Sequence, residues 1–192
     1  MAQFRTTNFA IAKLCHEMAN RLGVISFLRE DLADKAEELA EFFSQIDLLT
    51  HVMSFFREIY SVSETTSDLI KIVLNIAKLN GINAQYDEGI ICKISTMGSL
   101  RFFAGILYML LKVCKPGDTV VITEDRRIIA VTIDAPRRLH NAVCAALNDE
   151  SVAEDVFNTF ALHVKALANR QGIKISTDLS EYDAARVNIW RG

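Results

Sequence analysis

The feature that most constrains this chain is a pair of apolar seams near its N-terminus, each with members spaced alternately three and four residues apart. Such spacing is typical of helices in bundles and coiled coils. The seams consist of Ile11, Leu14, Met18, Leu22, Ile25, Leu28 and Leu32, and then of Leu39, Phe42, Ile46, Leu49, Met53, Phe56 and Tyr60. Only a short polar stretch, 34–38, separates them. The sequence therefore predicts an antiparallel helical hairpin.

A two-helix hairpin cannot bury both of its seams well without a further partner. Two copies of the chain would bury them as a four-helix bundle, and closed twofold dimers are the commonest symmetric assembly. We therefore expect a homodimer formed through the hairpin. The pattern changes after Ser61, and a polar, cap-rich junction follows over 63–68, so we predict a hairpin domain over 1–62 and a second domain over 63–192.

The second domain mixes helical and β-rich segments. Helices are predicted over 69–79, 99–114, 139–147 and 154–168, and strands over 82–86, 90–94, 119–123, 128–133, 173–177 and 185–190. Asn80-Gly81 and Gln171-Gly172 are typical ends of helices. These elements predict an α+β fold in which helices pack on one face of a largely antiparallel sheet.

The composition excludes several classes of protein. Hydrophobic residues make up 51% of the chain, which does not fit disorder, and 21 basic against 24 acidic residues do not suggest a nucleic-acid-binding protein. The four cysteines lack the paired spacing of a zinc site or a disulfide framework. The N-terminus does not resemble a signal peptide, and the longest apolar run, 102–111, is too short to span a bilayer. We expect a cytoplasmic protein that binds no membrane.

His16 is the residue that points most clearly to chemistry. It lies two residues from both Leu14 and Met18, which turns it about 200° from the first seam at about 100° per residue. Glu17 is its neighbour, and Asn20 follows one turn later. An outward imidazole with a pKa near 6.5 is mostly neutral at about pH 7 and is a candidate nucleophile. His51 also points away from its seam but has no acidic neighbour, so it is the weaker candidate.

The helix face around His16 has the character of a docking surface. Helical spacing places these residues on it: Phe9, Ala12, Lys13, Asn20, Gly23, Val24 and Phe27. The small residues permit close approach of a partner, while the apolar ones form a rim that the seam does not require. Lys13 could meet an acidic pocket on that partner.

A hairpin with a His-Glu step followed by an α/β domain resembles the dimerisation and catalytic modules of sensor histidine kinases. Segment 160–176 is similar to the last helix and strand of the kinase ATP domain. The nucleotide motifs are missing, however. Segment 106–114 has no asparagine to bind Mg²⁺, Asp134-Ala-Pro-Arg replaces a glycine-rich turn, and no glycine-rich lid precedes Phe160. Without glycines the backbone cannot approach phosphates closely.

A kinase-like body without ATP motifs resembles the ChpT-type histidine phosphotransferases of bacterial phosphorelays. The stretch Leu14-Cys15-His16-Glu17, with Gly23-Val24-Ile25 after it, is similar to the phosphorylation motif of that family. Arg21 is a departure, because many kinases and family members have proline at this place. Its presence removes a possible helix kink.

The resemblance implies a complete reaction. His16 would take a phosphoryl group from a receiver-domain phosphoaspartate and pass it to the aspartate of another response regulator, without ATP. Glu17 would orient the imidazole, and Asn20 would contact the moving phosphoryl oxygens or position a water. The partners would be receiver domains of a hybrid histidine kinase and of a response regulator. This chain would bind no cofactor, since Mg²⁺ is expected in the receiver.

Two other functions stay open at the level of sequence. The chain could be an active histidine kinase whose nucleotide site has diverged. It could also be a non-catalytic dimeric adaptor that binds receiver domains.

Overall fold

The fold comes from a computed structural model that describes most of the chain. The described residues are 11, 15, 18–20, 22–23, 25–26, 39–61, 68–96, 100–125, 128–133, 156–178 and 185–191. The contacts divide the chain into two compact units, Met1–Leu79 and Asn80–Gly192. The predicted boundary at 62/63 lies outside the described residues.

The described part of the first unit is entirely helical apart from its connections. All described residues within 11–26 are helical, and two longer helices follow, α1 (Ala40–Tyr60) and α2 (Asp68–Leu79). The second seam from Phe42 to Tyr60 therefore lies on one helix, as predicted, with Leu39 just before its start, and α2 confirms the helix predicted over 69–79. One side of α2 is buried, and α2 packs against α1.

A small buried cluster joins the N-terminal helical residues to α1. Cys15, Leu22 and Met53 form its centre, and Ile11 and Phe56 pack against it. Cys15 and Leu22 are seven residues apart, which places them on one side of a helix. This cluster makes the N-terminal helical residues and α1 neighbours, as the two halves of a hairpin would be.

The structure divides each predicted seam into a buried and an exposed part. Ile11 and Leu22 of the first seam face the cluster, whereas Met18 and Ile25 are 39% and 38% exposed. In α1, Phe42 and Leu49 are 54% and 43% exposed. The contact between the N-terminal helical residues and α1 covers only one side of each, so part of each seam stays open.

The second unit contains a five-stranded sheet. Its strands are β1 (Asn83–Tyr86), β2 (Thr119–Asp125), β3 (Ile128–Ile133), β4 (Ile173–Asp178) and β5 (Ala185–Arg191), in the spatial order β1-β2-β3-β5-β4. β1 is parallel to β2, and the other neighbouring pairs are antiparallel. The predicted α+β fold with a largely antiparallel sheet is confirmed.

The strand predicted over 90–94 is wrong, because this segment belongs to helix α3 (Glu88–Thr96). Asp87 caps the start of the helix: its Oδ1 accepts a hydrogen bond from the Gly89 amide at 2.6 Å, and its carbonyl accepts one from the Ile90 amide at 3.0 Å. Ile90 and Ile94, four residues apart, are buried, while Lys93 is exposed. One buried stripe suffices to hold a short helix against the unit.

Two further helices supply most of the core, α4 (Leu100–Leu111) and α5 (Val156–Arg170). Every residue of α4 from Phe102 to Leu111 is buried, so this helix is apolar around its whole circumference. α5 packs on it, and the rings of Tyr108 and Phe160 meet edge to face at 5.8 Å. The helix predicted over 139–147 lies outside the described residues.

Two glycine turns hold β1 beside β2. Gly81 and Gly117 have φ values of +68° and +91°, a conformation that glycine adopts readily. The Gly117 amide donates to the Gly81 carbonyl at 2.8 Å, and the Asn83 amide donates to the Asp118 carbonyl at 2.9 Å. The helix end predicted at Asn80-Gly81 is confirmed, since α2 ends at Leu79.

Among the described helices, none has both the length and the apolar character needed to cross a bilayer.

Candidate functional site

The structure describes two of the predicted site residues. Asn20 and Gly23 are both helical and exposed. The others lie outside the described residues: His16, Glu17, Phe9, Ala12, Lys13, Val24 and Phe27. The catalytic roles of His16, Glu17 and Asn20 therefore stay predictions.

The surface at Gly23 is open. Among the described residues, a Cβ atom placed on Gly23 would meet nothing within 4 Å beyond its own stretch of helix. Asn20 is exposed nearby in sequence, whereas Cys15 and Leu22 are buried on the same stretch of helix. The N-terminal helical residues thus have a buried side that packs on α1 and an open side that carries Asn20 and Gly23.

Cys15, the residue before His16 in the chain, is packed against the C-terminal end of α1. Burial raises the pKa of the Cys15 thiol, and the positive charge of Arg57 partly opposes this effect. Burial, together with the charge of Cys15, raises the pKa of Tyr60 to about 12. The Arg57 guanidinium also lies 3.5 Å from the Glu58 carboxylate. Two groups from the last turn of α1 therefore lie near Cys15.

The sequence pattern did not single out Cys15 or Arg57. The available signal was the spacing of Cys15, four residues after Ile11 and seven before Leu22. Free cysteine is among the residue types most often buried, so it can serve as an apolar seam position. A seam that includes Cys15 has the same alternation as the predicted one.

Two other histidines can be placed in the structure. His51 is half-buried within α1. His163 is buried in α5 at 5% exposure. Neither lies on an open helix surface comparable to that at Asn20 and Gly23.

The described residues contain no cluster of metal-binding side chains. Within these ranges, no group of three or more His, Cys, Asp and Glu side chains could bind a metal. Helix α4 includes most of the segment compared with the kinase Mg²⁺ motif, and its residues from Phe102 to Leu111 are buried. The predicted replacement for the glycine-rich turn, at Asp134, lies outside the described residues.

Comparisons with known proteins give similarity of structure but not of sequence. No family model and no curated protein matches the chain. A solved structure described as a bacterial phosphotransferase matches with a TM-score of 0.58 and 11% identity, over 98% of this chain and 97% of the other.

The histidine kinase domain of a blue-light activated kinase, EL346 from Erythrobacter litoralis, matches over 96% of this chain and 93% of its own length. Its identity is 14% and its TM-score is 0.44, too low to establish a shared fold. The phosphotransferase match, in contrast, extends through both compact units. The resemblance expected from the sequence is confirmed at this level, and the chain has the fold of a bacterial phosphotransferase.

Proposed function

We propose that this chain is a histidine phosphotransferase that relays a phosphoryl group between receiver domains through His16, without ATP. The observation that carries the proposal is the similarity of fold to a bacterial phosphotransferase over nearly the full length of both chains. The open helix side at Asn20 and Gly23 supports it, because a receiver domain needs an accessible surface.

Helical spacing relates His16 to this open side. At about 100° per residue, position 16 is predicted about 40° from Asn20 and about 20° from Gly23. Both of these residues are exposed. The spacing therefore predicts that an imidazole at position 16 lies between two solvent-facing positions.

The proposed reaction consists of two displacements at phosphorus. A nitrogen of the neutral His16 ring attacks the phosphorus of a receiver phosphoaspartate, the P–O bond breaks, and the carboxylate leaves. The other ring nitrogen keeps its proton and donates it to Glu17 as a hydrogen bond, which stabilises the positive charge that develops on the ring. The aspartate of a second receiver then attacks the phosphorus and the P–N bond breaks, restoring His16. Positioning and charge stabilisation dominate such transfers.

The character of α4 favours a reaction without ATP. A nucleotide bound through Mg²⁺ needs oxygen ligands on the protein or on waters that the protein holds. Segment 106–114 has no Asn, Asp or Glu, and the part of it within α4 is buried. Labelled ATP is expected to leave the chain unlabelled, and autophosphorylation on histidine would favour the active kinase instead.

The exposed apolar residues of the hairpin support a homodimer. Met18 and Ile25 are exposed on the N-terminal helical residues, and Phe42 and Leu49 on α1. Helical spacing predicts the first two about 160–180° from position 16. A second copy could cover them and leave the proposed phosphorylation surface open to receivers.

The decisive experiment is a transfer assay with a phosphorylated receiver domain. Wild-type protein is expected to gain the label and to pass it to a second receiver, while His16→Ala gains none and still binds the receiver. His51→Ala is the matched control and is expected to transfer normally. Transfer by His16→Ala at the wild-type rate would overturn the proposal, and an adaptor would take no label in any variant.

A further inference from the structure

We propose that the second unit binds a small anion carrying a planar aromatic ring, in a pocket on the outer face of its sheet. The outer-face pocket is lined by Ile128, Ser176, Arg186, Asn188 and Trp190. This binding site is separate from the chemistry proposed for His16 and does not depend on it.

The alternation of burial along the strands identifies the outer face. In β5, Val187 and Ile189 are buried at 0% and 2% exposure, while the residues between and beside them are more open. In β3, Ile129, Val131 and Ile133 are buried on that same face, while Ile128 is exposed on the other, where the small side chain of Ala130 is also buried. Successive strand residues point to opposite faces, so the pocket lies on the face opposite these buried side chains.

The pocket is large enough for a small molecule. Its volume is about 320 Å³, at the lower end of the range of small-molecule sites. Three strands supply its lining, namely β3, β4 and β5. Because β5 lies between β3 and β4 in the sheet, the side chains that line the pocket are held by paired backbone rather than by a mobile loop.

An apolar surface in the pocket fits a planar ring. The Trp190 indole is only half-buried, and Ile128 is 39% exposed. Indole is the aromatic side chain with the largest face and is favoured where one side packs and the other meets a ligand or water. A ring stacked on Trp190 and touching Ile128 would remove both apolar surfaces from water.

Polar side chains in the same pocket fit an anion. The Arg186 Nε donates to the Asn188 Oδ1 at 2.9 Å, which fixes the plane of the guanidinium. An oriented guanidinium can bind a carboxylate or a phosphate through two parallel hydrogen bonds. Ser176 lies directly opposite Asn188 in the β4–β5 ladder, so its hydroxyl is close to the same place.

The neighbouring charges set the expected strength of binding. Lys174, which is exposed, occupies the register position opposite Trp190, and Asp178 occupies the position opposite Arg186. Residues opposite each other in a ladder share a face of the sheet. Lys174 therefore adds attraction for an anion.

The chain provides its own probe, since Trp190 is its single tryptophan. Fluorescence excited in the indole band would be followed during titration of the full chain with adenosine monophosphate and, separately, with benzoate. We expect at least one of the two ligands to quench the fluorescence saturably at micromolar to millimolar concentration. Comparison of the two titrations shows whether the pocket prefers a nucleotide or an aromatic carboxylate. Adenosine and inorganic phosphate, which have only the ring or only the charge, should bind at least about tenfold more weakly.

Variants test the assigned contacts. Arg186→Gln should weaken binding by about tenfold or more. Arg170→Gln, at the exposed end of α5, is the matched control and should leave binding unchanged. The circular dichroism of each variant would establish that it is folded. Absence of quenching by both probes, equal affinity for adenosine, or unchanged affinity in folded Arg186→Gln would overturn the inference.

Discussion

The two compact units differ in how completely they bury their apolar side chains. In the described part of the first unit, Met18, Ile25, Phe42 and Leu49 remain 38–54% exposed on helical residues. In the second unit, α4 is buried around its whole circumference. The first unit thus offers more apolar surface than its own helices cover, whereas the second encloses its most apolar helix.

This difference bears on what each unit does. An exposed apolar surface of several large side chains is typical of a protein interface. A closed core with a sheet over it is typical of a unit that folds by itself. Assembly is therefore expected to depend on the first unit, and thermodynamic stability on the core of the second.

The largest expected effect is the loss of core packing in the second unit. Leu107 in α4 is 1% exposed, so Leu107→Ala should lower the free energy of unfolding by about 2–5 kcal/mol. Leu162→Ala, at a position of α5 that is 53% exposed, should lower it by less than about 0.5 kcal/mol. Urea denaturation monitored by circular dichroism measures both. Equal losses of unfolding free energy in the two variants would show that the core around Leu107 is not closely packed.

The next effect is on assembly. Leu49→Glu places a charge in the proposed dimer surface of α1 and should convert a dimer to a monomer, because burying an unpaired carboxylate is costly. Leu162→Glu makes the same change at an exposed leucine of the second unit and should leave the mass unchanged. Light scattering during size-exclusion chromatography gives the mass of each. If the Leu49→Glu variant remains a dimer, Leu49 does not lie in the dimer interface.

A smaller effect is expected at alkaline pH, and it compares the units directly. Burial raises the pKa of Tyr60 in the first unit and of Tyr108 in the second, each to about 12. Between about pH 10 and about pH 12 the folded protein keeps these phenol protons while the unfolded chain loses them, so stability should fall as pH rises through this window. Tyr60→Phe and Tyr108→Phe should each lose less stability between about pH 9 and about pH 11 than wild type does.

Denaturant unfolding at the two pH values measures this effect. If only Tyr108→Phe reduces the pH dependence, then Tyr60 is solvated in solution and the end of α1 is less closely packed than described.

The smallest effect concerns surface ion pairs. The Lys93 Nζ lies 2.5 Å from the Glu124 Oε2 and joins α3 to β2, although Lys93 is 61% exposed. A double-mutant cycle with Lys93→Met and Glu124→Gln should give a coupling of about 1 kcal/mol or less. The pair Lys71–Asp68 in α2, at 3.6 Å and more exposed, should give none that is measurable. A larger coupling energy for Lys71–Asp68 than for Lys93–Glu124 would contradict this prediction.

The sequence predicted most of the fold because its signals were regular. The apolar spacing defined the helices of the first unit, and Asn80-Gly81 marked the end of α2. Segment 90–94 was assigned wrongly because its run of isoleucines fits a buried strand as well as a helix. Asp87 before Glu88 was the cap that distinguishes the two.

Other features could not be obtained from one sequence. Spacing shows which residues share a side of a helix, but it does not show which partner covers that side. Met18 and Leu22 belong to one seam, yet Leu22 packs on α1 and Met18 is exposed. The outer-face pocket could not be predicted from the sequence either, because it brings Ile128 of β3 together with residues of β4 and β5 that are distant in the chain.

The hydrogen bond from Gly117 to Gly81 has an evolutionary consequence. It joins the residues just before β1 to those just before β2, so the two parallel strands are aligned where both begin, and α3 and α4 lie in the crossover from the end of β1 to the start of β2. Lengthening a long crossover costs little entropy. Within this crossover every residue of α4 from Phe102 to Leu111 is buried, whereas α3 buries only Ile90 and Ile94 among its described side chains, so lineages that share this fold should differ more in length between β1 and α4 than within α4.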